Sequence, residues 1–380
     1  VYLDGIFIPR PDGQLLDTID VDSVQVLRGP QGTLFGKNNT GGALVFTLSK
    51  PEDVAGGYVE GGLGSYGENR LRAAVNMPVS EDFLTRLSVN SHRRDGFLED
   101  RSIGDTQSID RLSAIFQTRW LAGDSLTLDT LTFLGKIRER YPTYHCKIVN
   151  DDALFVDGLG LLWPGDTDPS NPRAYRDNCE ANDRDKLPDL VTNQGDQQYQ
   201  VKDQDVVLLG ATADWELNAD HSIKGIFGYR DAVKGGPQSN ADEGGPAPFL
   251  RGIVLGDSDQ ESLTLELQFN GRLFDGAVDY TAGLFWQDEY KNERFMVGSP
   301  LVGADSTSLA QLLAGQVPNP ALIPPGGTNP PVLGALVPLA TVQDFEIFGE
   351  TAAAFAQATW HITEDWELTV GGRYTEESRD

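Results

Sequence analysis

Several things are scarce in these 380 residues. No uninterrupted apolar run of about 18 residues occurs, which excludes a membrane-spanning helix. Bases are outnumbered, 30 Lys and Arg against 57 Asp and Glu, for a formal charge of −27. So acidic a chain lacks the basic footprint that nucleic-acid phosphates require, and no nucleic-acid partner is expected. The four histidines, His92, His145, His221 and His361, are scattered without a second ligand at metal spacing, and no G-x-S-x-G nucleophile turn is present. The chain is therefore expected to be no enzyme and to hold neither metal nor cofactor. It opens on Val and carries no charged-then-apolar leader, as a mature or truncated product would. Helical periodicity is nearly absent.

Only two cysteines occur, Cys146 and Cys179, in one polar, proline-rich segment. Two free loop thiols would be reactive liabilities in an intracellular protein. A disulfide in an oxidising compartment is preferred, and in the chain-entropy model it would stabilise the ordered state by about 4 kcal/mol. An acidic loop motif, Asp166-x-Asp168-x-Ser170, suggests calcium, but Asn171 replaces the required Gly and Asp177 the twelfth-position Glu. A solvated acidic loop fits better.

Glycine, by contrast, is abundant, with 42 residues, and is dense in 26–42, VLRGPQGTLFGKNNTGG. A phosphate cradle fails on spacing: Gln31 stands where the first Gly of a P-loop belongs, and Asn38 follows Lys37. Gly62, Gly64 and Gly67 fit G-x-G-x-x-G, but Leu71, Ala73 and Val75 alternate after them, so a hairpin is expected there rather than a strand-to-helix turn. A linker fits poorly too, because Val26, Leu27, Leu34, Phe35 and the run ALVFTL want burial. A compact block of turns inside something larger remains. VYLDGIFIPR reads as a hairpin turning at Asp4-Gly5, with further strands at Val24–Leu27 and Ala43–Leu48.

From Gly56 onward the texture is different. Segments of about ten alternating residues recur between turns, about eleven of them through Tyr374. Leu263, Leu265, Leu267 and Phe269 point one way, and Thr264, Glu266 and Gln268 the other. Val278, Tyr280, Ala282, Leu284 and Trp286 share a face, as do Leu112, Ala114, Phe116 and Trp120, and Val207, Leu209, Ala211, Ala213 and Trp215. Connections alternate between short (NMPVSED, LAGDS, LNADHS, FDGA, HITED) and long (95–108, 138–202, 235–258, 295–345). A soluble sandwich has no reason for that asymmetry; an outer-membrane barrel has short periplasmic turns and long outer loops. Phe83, Trp120, Trp215, Phe274, Tyr280, Trp360 and Trp366 flank the short turns, where an interfacial aromatic girdle belongs, with Trp286 a candidate for the outer girdle. The opposite face carries Arg72, Arg86, Glu266, Gln268, Gln287 and Arg373, whose burial in a dry core would cost several kcal/mol per unpaired charge. A wet or occluded lumen accommodates them.

The stretch VQVLRGPQGTLFGKNNTGGALVFTLSKP resembles the end of the plug domain of TonB-dependent outer-membrane receptors, which commonly carries a V-E-V-x-R-G-P motif, a Gly-rich passage and a final strand. VYLDGIFIPR resembles an earlier plug hairpin, GGYVEGGLGSYGENRLRAAVNMPV the first barrel hairpin, and AAFAQATWHITEDWELTVGGRYTEE a central one. The implied fold is an all-β transmembrane barrel, about half of 22 antiparallel strands, with the C-terminal part of a mixed α/β plug. Residues 1–50 would be plug and 51–380 barrel, with outer loops near 138–202, 235–258 and 295–345. The resemblance makes Arg28 part of a charged lock to barrel carboxylates, and Gly29, Pro30, Gly32, Gly36, Gly41 and Gly42 the plug's turn motif, turning sharply where a Cβ would clash with the wall. Gln25 replaces the motif Glu, weakening any contact to a barrel cation to a neutral hydrogen bond. Signal peptide, TonB box, the first half of the plug and the remaining strands are expected outside this chain, whose unpaired sheet edges lipid would not tolerate in isolation.

The resemblance implies active uptake across the outer membrane of a Gram-negative bacterium. A scarce, large ligand would bind among the outer loops, a ferric siderophore before a carbohydrate or cobalamin, and a TonB-type coupling protein would pull on the plug. The remaining partner is outer-membrane lipid. Rival readings are a passive porin, which would lack a plug sequence, and a secreted propeller or adhesin, which would show repeats of about 40 residues. Loop 295–345 is apolar and proline-rich, a ligand lid or merely a stiff loop.

Overall fold

Asp4 and Gly5 take positive φ, 50° and 85°, the mirror-image turn that matches the twist of a tight hairpin. They join β1 (Tyr2–Leu3) to β2 (Ile6–Phe7). The computed structural model describes residues 1–9, 20–36, 39, 41–100, 104–140, 154–156, 162–164, 191–192, 201–235, 237–241, 252–299 and 339–380. Next come β3 (Val21–Arg28), a single helical turn α1 (Gly32–Phe35) and β4 (Gly42–Leu48). These form a mixed four-stranded sheet, order β2-β1-β4-β3, with β1 parallel to β4 and β3 antiparallel to it. The glycine-rich stretch is thus not turns alone. It caps the β3–β4 ladder and is closed by Gly29 N–H donating to the Gly41 carbonyl at 3.3 Å, with the helical turn Gly32–Phe35 inside it.

The second unit contains β5 (Gly56–Leu63), β6 (Asn69–Pro78), β7 (Phe83–Arg94), β8 (Leu98–Asp100), β9 (Gly104–Thr106), β10 (Ile109–Leu121), β11 (Leu126–Arg140), β12 (Leu154–Val156), β13 (Leu162–Pro164), β14 (Val191–Thr192), β15 (Val201–Asn218), β16 (His221–Gly235), β17 (Pro237–Ala241), β18 (Gly252–Leu273), β19 (Val278–Ser299), β20 (Leu339–Thr363) and β21 (Trp366–Arg379). Its large sheet runs β21-β20-β19-β18-β16-β15-β11-β10-β7-β6-β5, antiparallel throughout, with β17 beside β18. The Gly62, Gly64, Gly67 stretch joins β5 to β6 as a hairpin. β8, β9 and β14 make a small separate sheet, and β12 pairs with β13. No helix among the described residues is long and apolar enough to cross a membrane.

The alternation read from sequence is the alternation of faces. Leu265, Leu267 and Phe269 are 45%, 39% and 41% exposed on the convex side, whereas Thr264, immediately before them on the same strand, is 5% exposed. The convex apolar band on β19 runs from Val278 to Trp286, roughly 20 Å along the barrel axis for a tilted strand, near the height of a lipid-facing belt. The next outward positions are acidic on four neighbouring strands: Asp231 lies opposite Glu261, and Asp288 opposite Glu350. Trp286 sits at that boundary and donates its indole N–H to Glu350 Oε1 at 2.9 Å.

Long connections are shorter than the sequence suggests. β11 reaches Arg140 and β15 starts at Val201; β16 reaches Gly235 and β18 starts at Gly252; β19 reaches Ser299 and β20 starts at Leu339. β18, β19 and β20 span 22, 22 and 25 residues, about twice what crosses hydrocarbon. Beyond the lipid both faces are wet, so hydrophobic alternation stops while the backbone ladder, which needs only N–H and C=O groups, continues. Segment 95–108 likewise contains β8 and β9. Cys146, Cys179, His145, Asp166, Asp168 and Ser170 lie outside the described residues, as do most of 141–200 and 300–338.

Candidate functional site

The N-terminal sheet sits in the concave side of the large sheet. Leu3, Ile6, Ile8 and Leu48 form one core with Ile115, Leu131, Phe133, Val206, Leu208, Ile226 and Ala232, all wall residues of β10, β11, β15 and β16. A second cluster joins Tyr2, Phe7 and Ala43 to Phe285 of β19. Backbone and side chain meet tightly at Ile6. Gly210 of β15 and Gly228 of β16 are cross-strand partners, and a Cβ on either would lie 2.3 Å or 2.4 Å from Ile6 side-chain atoms. Two facing glycines thus leave a notch in the wall that the hairpin's isoleucine fills.

Polar contacts surround this apolar dock. Asp20 is buried beside β7, where Arg86 Nε and Nη2 donate to its two oxygens at 2.6 Å and 2.7 Å. Ser88 Oγ and Tyr58 OH donate to the same carboxylate at 2.5 Å and 3.3 Å. Burial raises the Asp20 pKa, but the hydrogen bonds from Arg86 and Ser88 outweigh it and hold the carboxyl below its usual range. Lys50 lies 3.1 Å from Asp4 within the N-terminal unit and 3.8 Å from Asp129 of the wall, which Arg119 grips through both oxygens at 2.8 Å. Gln117 donates to the Ser49 carbonyl at 2.9 Å, and Asn76 to Glu52 at 3.0 Å. Tyr2 donates to the Phe35 carbonyl, which also accepts from Asn39 at 2.6 Å; burial pushes the Tyr2 phenol up to about 12.

The predicted turn residues divide by cause. Gly36 has φ +69° and is buried, and a Cβ there would lie 2.8 Å from the Arg373 guanidinium, so the wall approaches the backbone at this point. Arg373 also stacks 5.5 Å and 5.3 Å from the ring centres of Phe285 and Phe355. Gly42, at φ +138°, would put a Cβ 2.2 Å from the Leu27 carbonyl oxygen, a clash inside the N-terminal unit rather than with the wall. Gly29 needs its freedom for φ +82° alone, and nothing lies within 4 Å of a Cβ at Gly32 or Gly41. Clash with the wall therefore accounts for one of these glycines. Pro30 is exposed at the bend after β3.

Arg28 is exposed on β3, an edge strand, with no ion-pair partner among the described residues; Gln25 is exposed on the same strand. The charged clasp in the structure is Asp20–Arg86. Asp20 was not singled out from sequence, since a lone Asp in a turn-rich stretch carries no signal, whereas Arg86 was legible as a charge on the concave face. The histidines stay apart: His92 meets Glu68 at 3.0 Å, His221 meets Tyr280 at 3.1 Å, and His361 bridges Asp279 and Glu367 at 2.7 Å and 2.9 Å. Among the described residues no group of three or more is arranged to hold a metal.

Comparison with known proteins fits this arrangement of a small sheet inside a curved wall. Residues 141–380 match the family model described as TonB dependent receptor-like, beta-barrel, and residues 1–43 match the TonB-dependent receptor plug domain. The pesticin receptors of Yersinia enterocolitica and Yersinia pestis are 35% identical over 85 residues, 22% of this chain and 12% of theirs. The ferric yersiniabactin uptake receptor FyuA from Yersinia pestis superposes with TM-score 0.66 at 16% identity, covering 95% of this chain and 45% of that one. The ferric-catecholate import receptor Fiu from Escherichia coli K12 gives 0.66 at 16%, covering 100% and 52%. The chain thus spans about half the length of these solved structures and about an eighth of the curated relatives. A small mixed sheet seated by Ile6 and Asp20 in a lipid-facing antiparallel wall, matched by both domain models, makes this chain a member of the TonB-dependent receptors, proteins of the Gram-negative outer membrane.

Proposed function

We propose that the protein is a receptor for energy-coupled uptake of a scarce, large ligand, a ferric siderophore in the first instance. The observation that carries this is the plug itself. Its sheet packs on the concave side through an apolar core and a buried ion pair, which favours a lumen blocked at rest that needs work to open. A TonB-type coupling protein is the proposed source of that work. Iron chelates come before carbohydrates or cobalamin because solved structures of like fold include receptors for ferric yersiniabactin and ferric catecholates. A passive porin fits less well, since an occupied lumen passes no solute by diffusion. Arg28 is proposed as a further plug contact, and Cys146 and Cys179 as a disulfide of an outer loop.

The test is uptake of ⁵⁵Fe chelates by a deletion strain carrying the full-length gene, with and without a protonophore. Uptake that needs both the gene and the proton-motive force supports the reading. Uptake that survives the protonophore returns the protein to the porin class, and growth on single sugar or cobalamin sources without iron uptake moves the substrate.

A further inference from the structure

The wall facing the plug has two chemically different halves. Along one cross-strand row the concave residues are Leu131, Gly210 and Gly228, then Thr264, Gln287 and Thr351; along the next they are Ile115, Phe133 and Leu208, then Arg230, Ser262 and Glu289. The change falls between β16 and β18 in the first row and between β15 and β16 in the second. On β10–β16 an apolar cluster makes the dock for Leu3, Ile6, Ile8 and Leu48, with Gln117 and Gln204 buried at its margins. On β18–β20 it carries hydroxyls and amides, Ser258, Gln260, Ser262, Thr264, Gln287 and Thr351, each no more than 5% exposed, and turns apolar at Phe285, Ala353 and Phe355 toward the short turn.

This second half is as dry as the first, and although Ser113 and Gln204 of β10 and β15 each leave one buried atom without a partner, only Gln287 among the buried amides leaves both. Gln287 is 0% exposed, and neither its Oε1 nor its Nε2 has a hydrogen-bond partner. A buried primary amide without partners is destabilising, and a wall meant only to grip the plug would be apolar there. The same groups become favourable as soon as water or a polar ligand reaches them. Charges around the strip come in both signs, Arg230 and Lys291 with Glu266 and Glu289.

We propose that the concave face of β18–β20, centred on Thr264, Gln287 and Thr351, is the passage wall. The plug parts from this side, giving up the packing of Tyr2 and Phe7 against Phe285, while β10–β16 keep hold of it through Ile6. The strip then offers successive hydrogen bonds to a ligand rich in hydroxyl, carbonyl or amide groups and of low net charge. The ligand role rests on the uptake function proposed above; the order in which the two halves open does not.

Leu208 and Gln287 are matched for burial, 1% and 0% exposed, which makes the order measurable. In the full-length receptor with Cys146→Ser and Cys179→Ser, Gln287→Cys and Leu208→Cys are each reacted with a small maleimide in detergent as urea is raised. The strip position is expected to label roughly tenfold faster than the dock position in intermediate urea, before the plug is lost altogether. Thr264→Cys and Ser262→Cys repeat the strip measurement should Gln287→Cys not fold. Simultaneous labelling of both halves, or earlier labelling at Leu208→Cys, overturns the proposal. Loss of ligand uptake with the labelling order intact would instead remove only the transport reading.

Discussion

Arg86 on the wall strand β7 holds Asp20 of the plug through two parallel hydrogen bonds, and both side chains are buried, 8% and 3% exposed. Neither group is stable there alone. Removing one partner strands the other as an unpaired buried charge, which typically costs about 3–5 kcal/mol. Arg86→Ala and Asp20→Ala in the full-length receptor are expected to make the plug sensitive to proteolysis while leaving the wall folded, and the double variant to cost less than the two single effects added. Equal protease resistance of Arg86→Ala and wild type would contradict this role.

Acid should open the same clasp. The Asp20 pKa is lowered in the folded state, so its contribution is fully present above the unfolded carboxylate value, ~3.9, and is lost as pH falls through the lower folded value. Plug release followed by tryptic cleavage after brief acid exposure is expected to begin below about pH 4 in wild type. Asp20→Asn should be weakened already at neutral pH and should lack that step.

The Ile6 notch makes a compensation test. Gly210→Ala places a methyl 2.3 Å from Ile6 Cδ1 and is expected to destabilise plug docking by about 1–3 kcal/mol. Ile6→Ala empties the notch and should cost about 2–5 kcal/mol alone. Combined, the new methyl occupies part of the vacated space, so the double variant should be more stable than the sum predicts. Strict additivity in urea titrations of plug release would show that Ile6 does not seat there.

Position 267 lies on the lipid side and position 264 on the lumen side of one strand. Leu267→Arg, near the middle of the apolar band, should cost about 2–4 kcal/mol of barrel stability and reduce the heat-resistant folded form on gels. Thr264→Arg should spare the barrel and act on the plug. The reverse pattern would mean that the faces are inverted.

Much of this arrangement is legible along the chain because its cause is local. Leu263, Leu265 and Leu267 against Thr264 and Glu266 report two solvents on two sides of a sheet, and period two is all that is needed to read them. The short turns identify one rim by length and by Trp120, Trp215 and Trp360. Strand lengths were misread above the membrane, since near Lys291 and Glu293 neither face is apolar and only the ladder persists. The clasp at Asp20 and the notch for Ile6 were invisible for a different reason: each joins residues far apart in sequence, and a glycine facing a glycine across two strands has no signature in either strand alone.

The sequence by itself determined which side of each wall strand meets hydrocarbon, because the neighbouring residues on that strand carry the full contrast between oil and water. Only the tertiary structure decided how the plug is held: with Ile6 in the space left by Gly210 and Gly228, Asp20 under Arg86, and a polar wall at Gln287 three strands along the sheet from an apolar one at Leu208. Those partners are brought together by the curvature and register of the sheet, which depend on every strand pairing at once.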